Sequence, residues 1–430
     1  MHMNNTILRY VGLTDPNFKF IVNSDGEYNR YEHRGRDHHK ALITHATLES
    51  DIMRCPDCGF LEHVTKYGYT DDIEIYLPTT NGYDNRLIVK KQRFHCDNCN
   101  TKFNAKSHDL LDNSKFSRPL VNQIIAMSQD DISQKSIARA LRVSTSSVHR
   151  VINSDQTYYY DFQRQLPSVL FFDEVRTSAH NMSFVYADGE AHQLIEILPD
   201  RLSKNIKEHF LGYSLQNRRQ VEYVIIDLNA NYGQFVRGLF PNAKIIIDRF
   251  HIVQRVAQAL TGQRVADQRS IEDKRYSREY AIMKSQWRLF MKSYDKLNKN
   301  TRVYLAGVKE LMTEEEALDL VFRSFPTLHA TWLTYQAVLE AMHEQNIQKF
   351  SDILVGYSPL RNAMDTAIST FSKNLAGVLE SLRSPWSNGV IEGINRKIKQ
   401  ISRTAYGYRN QLNFFRRIRT QLVHPRIIPA

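Results

Sequence analysis

Short apolar runs bounded by polar turns occupy the middle of the chain. Three closely spaced runs, at residues 168–175, 182–188 and 192–198, predict β-strands, and a helical stretch follows them. Two further apolar runs, at 223–228 and 243–248, alternate with helical segments. The pattern therefore predicts an α/β domain in which three meandering strands precede a strand-helix-strand-helix unit.

This order of elements is that of an RNase H-like fold, which we predict as the catalytic core. Its first part covers residues 166–255, and a long all-helical insertion follows at 256–384. Residues 385–412 then return to the core as a helix, and a basic tail covers 413–430. Inside the insertion, Thr313 and Glu316 have the spacing of a capping box, and the stripe from Leu328 to Met342 predicts a buried helix face.

Three acidic residues are candidates for a metal site in this core. Asp173 and Asp227 each follow an apolar run, so we expect them at the ends of the first and fourth strands. Asp248 also follows an apolar run and is the alternative to Asp227 as second ligand; the RNase H-like order favours Asp227. Glu392 is the candidate third acid, on one helical face with Asn395, Arg396 and Lys399, although this pattern also fits a solvated, salt-bridged face.

The four cysteines form two CxxC pairs, Cys55 with Cys58 and Cys96 with Cys99, separated by 37 residues. Each pair supplies half of a tetrahedral Cys₄ zinc site, so residues 51–112 are predicted as a zinc ribbon that follows an N-terminal segment at 1–50. The residues between the pairs alternate like two strands around a turn at Asn81–Gly82. Disulfides or unpaired core cysteines are the alternatives.

Residues 115–160 are predicted to contain a helix-turn-helix. Ile137, Ala138 and Leu141 form the inner face of its first helix, and the Ser144–Ser147 stretch can cap the second. An ordinary helical hairpin is the alternative. In a helix-turn-helix, the second helix would expose four residues able to contact phosphates and base edges: Ser146, Ser147, His149 and Arg150.

Charge changes the picture further, because the chain carries a formal net charge of +11. From residue 388 to the end there are nine Lys or Arg residues and a single acid. Nucleic acid is the commonest partner of such a protein, although a basic tail can also serve solubility alone. The candidate DNA contacts in this region are Arg396, Lys399, Arg403, Arg416, Arg417 and Arg419. No membrane span or secretory signal is visible, so we expect a cytoplasmic protein that is nucleoid-associated when bound to DNA.

Several longer motifs resemble the DDE transposases of bacterial insertion sequences, specifically the ISL-three-like family. They are the paired CxxC knuckles, the helix-turn-helix, the Asp173-Glu174 pair, "FPNAKIIIDRFHIVQ" at 240–254, "SNGVIEGINRKIKQISRTAYGYRN" at 387–410 and "NFFRRIR" at 413–419. The resemblance implies that Asp173, Asp227 and Glu392 bind the catalytic metal ions and that Asp248-x-x-His251 is an auxiliary motif. Glu174 and Asn395 are candidate supporting residues.

The resemblance also implies an activity and its partners. The expected cofactors are two catalytic Mg²⁺ or Mn²⁺ ions and one structural Zn²⁺. The expected partners are double-stranded transposon ends and target DNA, with the protein acting as a homodimer or larger assembly because two ends must be joined. A zinc-dependent DNA-binding regulator with an inactive core, and a nuclease that cuts without strand transfer, are the competing hypotheses.

Overall fold

The computed structural model describes residues 2–34, 39–51, 54–80, 82–154, 165–177, 181–228, 232–274, 277–386, 389–405 and 407–423. The chain divides into two compact units. The first comprises Met1–Phe162 and Ile398–Ala430, and the second comprises Gln163–Lys397. None of the described helices is both long enough and apolar enough to cross a membrane.

The first unit contains a seven-stranded sheet that extends beyond the predicted ribbon. Helix α1 (His2–Val11) precedes the strands, which are β1 (Phe18–Phe20), β2 (Asn29–Arg34), β3 (His39–Leu48), β4 (Val64–Tyr69), β5 (Ile73–Thr80), β6 (Tyr83–Cys96) and β7 (Lys102–Asn104). The order is β1-β3-β6-β4, with β2 on β3 and with β5 and β7 on β6. The N-terminal segment therefore shares a sheet with the ribbon, because β3 pairs in parallel with the long strand β6.

The predicted strands between the cysteine pairs form the antiparallel hairpin β5–β6. Thr80 lies opposite Tyr83, and Gly82 in the turn has a φ of +78°, a backbone conformation that glycine adopts without strain. The other turn residue of the prediction, Asn81, lies outside the described residues.

Short helices follow the sheet in the first unit. They are α2 (Arg118–Ser128), α3 (Gln134–Ala140) and α4 (Thr145–Asn153), and each begins after a serine whose hydroxyl accepts a hydrogen bond from a backbone N–H of the first turn. Ser144 is the cap of α4, as the sequence indicates. The residues predicted to face inward on the first helix, Ile137, Ala138 and Leu141, are buried in one cluster with Val148 and Ile152 of α4.

The second unit is built on a five-stranded mixed sheet. Its strands are β8 (Val169–Arg176), β9 (Met182–Asp188), β10 (Gln193–Ile197), β11 (Tyr223–Ile226) and β12 (Lys244–Ile247), in the order β10-β9-β8-β11-β12. Strands β8, β9 and β10 are antiparallel, whereas β11 runs parallel to both β8 and β12. The intervening helices are α5 (Ser203–Leu211), α6 (Leu215–Arg219) and α7 (Gly233–Leu239). Strand order and direction match the predicted α/β core.

One expectation about this sheet is wrong in detail. Asp173 does not end the first strand, because β8 continues to Arg176 as the antiparallel partner of β9. The parallel pairing of β8 with β11 does stop before it, at Phe171 opposite Ile225. Asp173 therefore lies just past the parallel-paired part of the sheet.

The segment after the sheet is helical with one exception. Its helices are α8 (Arg249–Ser270), α9 (Arg278–Ser285), α10 (Trp287–Met291), a 3₁₀ turn (Tyr294–Lys296), α11 (Glu314–Ser324), α12 (Pro326–His343), α13 (Ile347–Gly356), α14 (Ala363–Lys373) and α15 (Leu375–Arg383). The exception is a hairpin of β13 (Val303–Leu305) and β14 (Glu310–Met312), so the insertion is not all-helical. Strands of three residues are too short to show a period of two in the sequence.

Specific details of the insertion agree with the sequence. Thr313 and Glu316 form both hydrogen bonds of a capping box at the start of α11. Leu328, Trp332, Tyr335 and Met342 are buried on α12, and Leu339 is half-buried. The chain closes with α16 (Gly389–Thr404) and α17 (Gln411–Leu422), so the predicted basic tail is a helix as far as it is described.

Candidate catalytic and metal sites

Three aspartates follow the parallel-paired parts of the strands in the second unit. Phe171 lies opposite Ile225 in the β8–β11 register, and Asp173 and Asp227 each come two residues after this pair. Ile226 lies opposite Ile247 in the β11–β12 register, and Asp227 and Asp248 each come directly after this pair. The negative charge of Asp227 acts on Asp173, so these two carboxyl groups are near each other.

Asp173 is the most perturbed of these acids. Its Oδ1 accepts a hydrogen bond from the backbone N–H of Glu174 at 2.7 Å, and its Oδ2 accepts one from Nδ2 of Asn395 at 2.7 Å. Burial raises the pKa of Asp173 to about 6, and the neighbouring negative charge of Asp227 acts in the same direction. Such an environment favours a bound cation, because a cation relieves both causes of the shift.

His251 lies between the other two aspartates. Its Nδ1 is 3.3 Å from Oδ1 of Asp227, and its Nε2 is 3.8 Å from Oδ2 of Asp248. The two carboxylates differ in access, since the side chain of Asp227 is 28% exposed and that of Asp248 only 2%. A ligand from solvent can therefore reach Asp227 more easily than Asp248.

Glu174 belongs to a separate group of side chains. It accepts hydrogen bonds from the hydroxyl of Tyr232 at 2.7 Å and from the guanidinium of Arg201. Burial raises the pKa of Tyr232, so its hydroxyl stays protonated and remains a donor. Neither partner is predictable from the sequence, because Tyr232 and Arg201 lie far from Glu174 along the chain and belong to no recognisable motif.

Helix α16 brings Asn395 into contact with Asp173. Asn395 is buried, whereas Glu392, Arg396 and Lys399 are exposed, so the predicted common face does not include Asn395. The reason is that Asn395 turns toward Asp173 beside the buried residues Ile391, Ile394 and Ile398 of the same helix. Among the described residues, Asp173, Asp227 and Glu392 do not form a group with mutually close ligand atoms.

The four cysteines do form such a group, since their sulfur atoms all lie within 4.8 Å of one another. Cys55 and Cys99 are 3.4 Å apart, Cys58 and Cys96 are 3.6 Å apart, and none is in a disulfide. Sulfur atoms at about 2.3 Å from a tetrahedral zinc ion would be separated by about 3.8 Å. The cluster therefore fits zinc, and the disulfide alternative is excluded.

Both knuckles of this cluster have the same backbone form. The residue after the second cysteine of each pair is in the left-handed region, Gly59 with a φ of +77° and Asn100 with a φ of +59°. Glycine and asparagine are the residues that adopt this conformation most readily. Because the two turns have the same backbone conformation, they direct both cysteine pairs toward one point.

The predicted DNA contacts have different environments. On α4, Ser146, His149 and Arg150 are exposed, while Ser147 is half-buried and accepts a hydrogen bond from Arg150. Arg403 on α16 is exposed, and Arg419 on α17 is half-buried.

Two arginines of α17 hold backbone groups within the first unit. Arg416 donates to the carbonyl of Asn153 at 2.8 Å. Arg417 is 4% exposed and donates to the carbonyls of Asp130 and Ile132, so the predicted DNA contact at Arg417 needs correction. Its guanidinium already donates to carbonyls of the loop between α2 and α3, in the place of backbone N–H donors.

Comparison with known proteins assigns this arrangement to a family. The family model for ISL3-type DDE transposases, described as transposase, matches residues 170–418, which is more than half of the chain. The chain belongs to this transposase family. Membership implies an RNase H-like core, the use of divalent metal ions and binding to DNA. The sheet order of the second unit agrees with that core.

Two relatives show how far the similarity extends. A transposase for insertion sequence element IS1001 from Bordetella parapertussis is 25% identical over 394 residues, which cover 88% of this chain and 91% of that protein. A protein from Lactococcus lactis subsp. lactis named ATP-dependent protease is 33% identical over 107 residues, 25% of this chain and 34% of that protein. The second match is too partial to carry an activity to this chain.

Proposed function

We propose that this transposase binds the terminal inverted repeats of an insertion sequence and catalyses metal-dependent strand cleavage and strand transfer. The observation that carries the proposal is that Asp173, Asp227 and Asp248 follow corresponding positions of the neighbouring strands β8, β11 and β12. In a family that uses divalent ions, these carboxylates are hard oxygen ligands.

Asp173, Asp227 and Glu392 are the proposed metal ligands. Asp227 is preferred to Asp248 because it is the more exposed acid and its charge acts on Asp173. When bound, two divalent ions stabilise the attacking and leaving oxygens of phosphodiester chemistry. The assignment of Glu392 is supported by its position one helical turn before Asn395, whose amide contacts Asp173.

Asp248 and His251 are the proposed supporting residues of this site. The imidazole of His251 contacts Asp227 on one side and approaches the buried Asp248 on the other. An outer partner of this kind fixes the orientation of a metal-binding carboxylate. Glu174, held by Tyr232 and Arg201, stiffens the strand that carries Asp173.

The proposed reaction has two steps at the same acids. Hydrolysis breaks a phosphodiester bond at the transposon end and leaves a 3′-hydroxyl. That hydroxyl attacks a phosphodiester bond of the target, so that one bond forms as the target bond breaks and a target 3′-hydroxyl departs. A homodimer or larger assembly would hold the two ends that are joined.

DNA recognition is assigned to the first unit. Helices α3 and α4 have the lengths, the connection and the buried contact expected of a helix-turn-helix, and α4 exposes Ser146, His149 and Arg150. The zinc ribbon contributes to the same recognition. Arg396, Lys399 and Arg403 are exposed on α16 and are proposed phosphate contacts, which provide affinity without reading sequence.

The test is Mn²⁺- or Mg²⁺-dependent cleavage of DNA that carries the ends of the element. Asp227→Ala should abolish cleavage while end binding is retained, and Asp248→Ala should leave residual activity. Asp319→Ala, which removes an exposed aspartate from α11, is the matched control.

Other results would redirect the proposal. Normal cleavage by Asp227→Ala with a dead Asp248→Ala would exchange the second ligand. A wild-type protein that binds its ends but never cuts would favour the regulator, and cutting without joining would favour the nuclease.

A further inference from the structure

Asn395 places a buried carboxamide directly against Asp173. Its Nδ2 donates a hydrogen bond to Oδ2 of Asp173 at 2.7 Å, and the residue is only 8% exposed. The other end of the same carboxamide is buried as well, and its Oδ1 accepts no hydrogen bond from any residue that the structure describes. Among the described residues, Nδ2 of the amide therefore has a hydrogen-bond partner and Oδ1 has none.

A buried oxygen without a partner costs free energy, because it loses its hydrogen bonds to water and gains none in return. Such groups are uncommon in folded proteins and often mark a place where another molecule binds. A lone acceptor requires an electropositive partner. Asp173 and Asp227 are both close by, so the surroundings favour a cation over an anion.

We propose that Asn395 is itself a ligand of the divalent ion held by Asp173, and that it binds the ion through Oδ1. The inference rests on the proposed function, because it assumes a catalytic ion at Asp173. Amide oxygens, like carboxylates, are hard ligands suited to Mg²⁺ and Mn²⁺. Helix α16 would then provide two ligands to the site, Glu392 and, one turn later, Asn395.

The present orientation of the amide gives its two ends different roles. Nδ2 faces Asp173, because an amide oxygen facing a bare carboxylate would be repelled. Oδ1 is left as the acceptor that a cation would use.

The experiment measures Mn²⁺ and Cd²⁺ binding to the full, zinc-loaded chain by titration. Asn395→Ala should weaken Mn²⁺ binding at least about tenfold. Asn395→Asp, which keeps an oxygen at the position, should bind Mn²⁺ at least as tightly as the wild type. Asn395→Cys should bind Mn²⁺ weakly but Cd²⁺ more tightly than Asn395→Ala does, with a new thiolate-to-cadmium absorption band, because thiolates prefer soft metals.

Two controls accompany these variants. Asn413→Ala removes an asparagine from α17, outside the second unit, and should bind both metals like the wild type. Any cadmium that enters the four cysteines of the ribbon is common to all variants, so the wild type provides the reference spectrum. Zinc content and circular dichroism show that each variant is folded.

Failure of this inference is distinguishable from failure of the proposed function. If Asp173→Asn and Asp227→Asn lose Mn²⁺ but Asn395→Ala binds it normally, the metal site stands and Asn395 is not a ligand. Equal weakening of both metals in the alanine and cysteine variants would reduce Asn395 to a hydrogen-bond partner of Asp173. A wild type that binds no Mn²⁺ would contradict the proposed metal site and this inference together.

Discussion

The Nδ1 atom of His251 lies 3.3 Å from Oδ1 of Asp227, which sets an imidazole against the acid proposed as the second metal ligand. The other ring nitrogen approaches the buried Asp248. Because α8 begins at Arg249, directly after Asp248, the first turn of that helix fixes where the imidazole can reach. The two residues of the auxiliary motif, Asp248 and His251, thus lie within one helical turn, and His251 contacts Asp227 from there.

Replacing His251 should affect chemistry more than DNA binding. We expect His251→Ala to lower metal-dependent cleavage about 10- to 100-fold, the usual effect of losing a residue that orients a metal ligand. Retardation of labelled transposon ends in a gel should be unchanged. His343→Ala, on the exposed side of α12, is the control. Full activity in His251→Ala would remove His251 from the site.

The raised pKa of Asp173 makes stability depend on pH. The folded protein keeps the carboxyl protonated up to about pH 6, whereas the unfolded chain ionises near 3.8. This contribution to stability is therefore complete below about pH 4, is lost as pH rises toward 6, and stays lost above. Without Mg²⁺ or Mn²⁺, Asp173→Asn should stabilise the catalytic unit at pH 7.5 by about 1–3 kcal/mol, at about 1.4 kcal/mol per pKa unit.

Thermal unfolding at pH 7.5 and pH 4.5 tests this expectation. The midpoint of Asp173→Asn should exceed that of the wild type at the higher pH and approach it at the lower pH. Asp319→Asn should match the wild type at both. A variant less stable than the wild type at pH 7.5 would mean that the two hydrogen bonds accepted by Asp173 outweigh the cost of its buried charge.

Substitutions of Arg417 and Arg403 should have separate effects, the first on stability and the second on DNA binding. Arg417→Met keeps an apolar stem but leaves the carbonyls of Asp130 and Ile132 without their donor, so we expect a loss of about 2–3 kcal/mol in stability. Arg403→Met removes an exposed charge, so it should leave stability unchanged and reduce the salt dependence of DNA affinity by about one unit of slope. The reverse pattern would restore Arg417 as a DNA contact.

The ribbon should require its zinc ion. We expect one zinc per chain by metal analysis. Cys58→Ser should lose it and expose β4 and β7 to hydrogen exchange, because the ion would join the two knuckles beside these strands. Thr65→Ala, exposed on β4, should retain zinc. A Cys58→Ser protein with full zinc content would show that the four cysteines are not the ligands.

The five-stranded sheet of the second unit was predictable because the sequence pattern of each strand is local. Each of β8, β11 and β12 is a short apolar run next to an aspartate, and their order along the chain implies the order in the sheet. The capping box at Thr313 and Glu316 is equally local, since both of its hydrogen bonds join residues three apart. Such features survive because tertiary packing reinforces what the neighbouring residues already favour.

Apart from the short β13–β14 hairpin, the missed features depend on distant partners. The sequence of β3 does not indicate that this strand pairs with β6, which follows the first cysteine pair. An arginine in a basic helix has the same sequence pattern whether it contacts DNA or, like Arg417, two backbone carbonyls. In the sequence, Asn395 is one polar residue among several on an amphipathic helix. Its burial follows from a contact with a residue 222 positions earlier, which no local pattern can encode.

The last helix has a consequence for how the protein is made. Arg417 and Gln421 of α17 hold the loop between α2 and α3, and α16 provides Asn395 and Glu392. A ribosome must therefore translate past Gln421 before the first unit has its α17 contacts, and past Asn395 before the second unit has its contact with Asp173. A polypeptide released before these residues lacks both a partner of its proposed DNA-binding helices and residues of its proposed active site. The proposed DNA binding and cleavage thus depend on residues that are translated long after the strands and helices they contact.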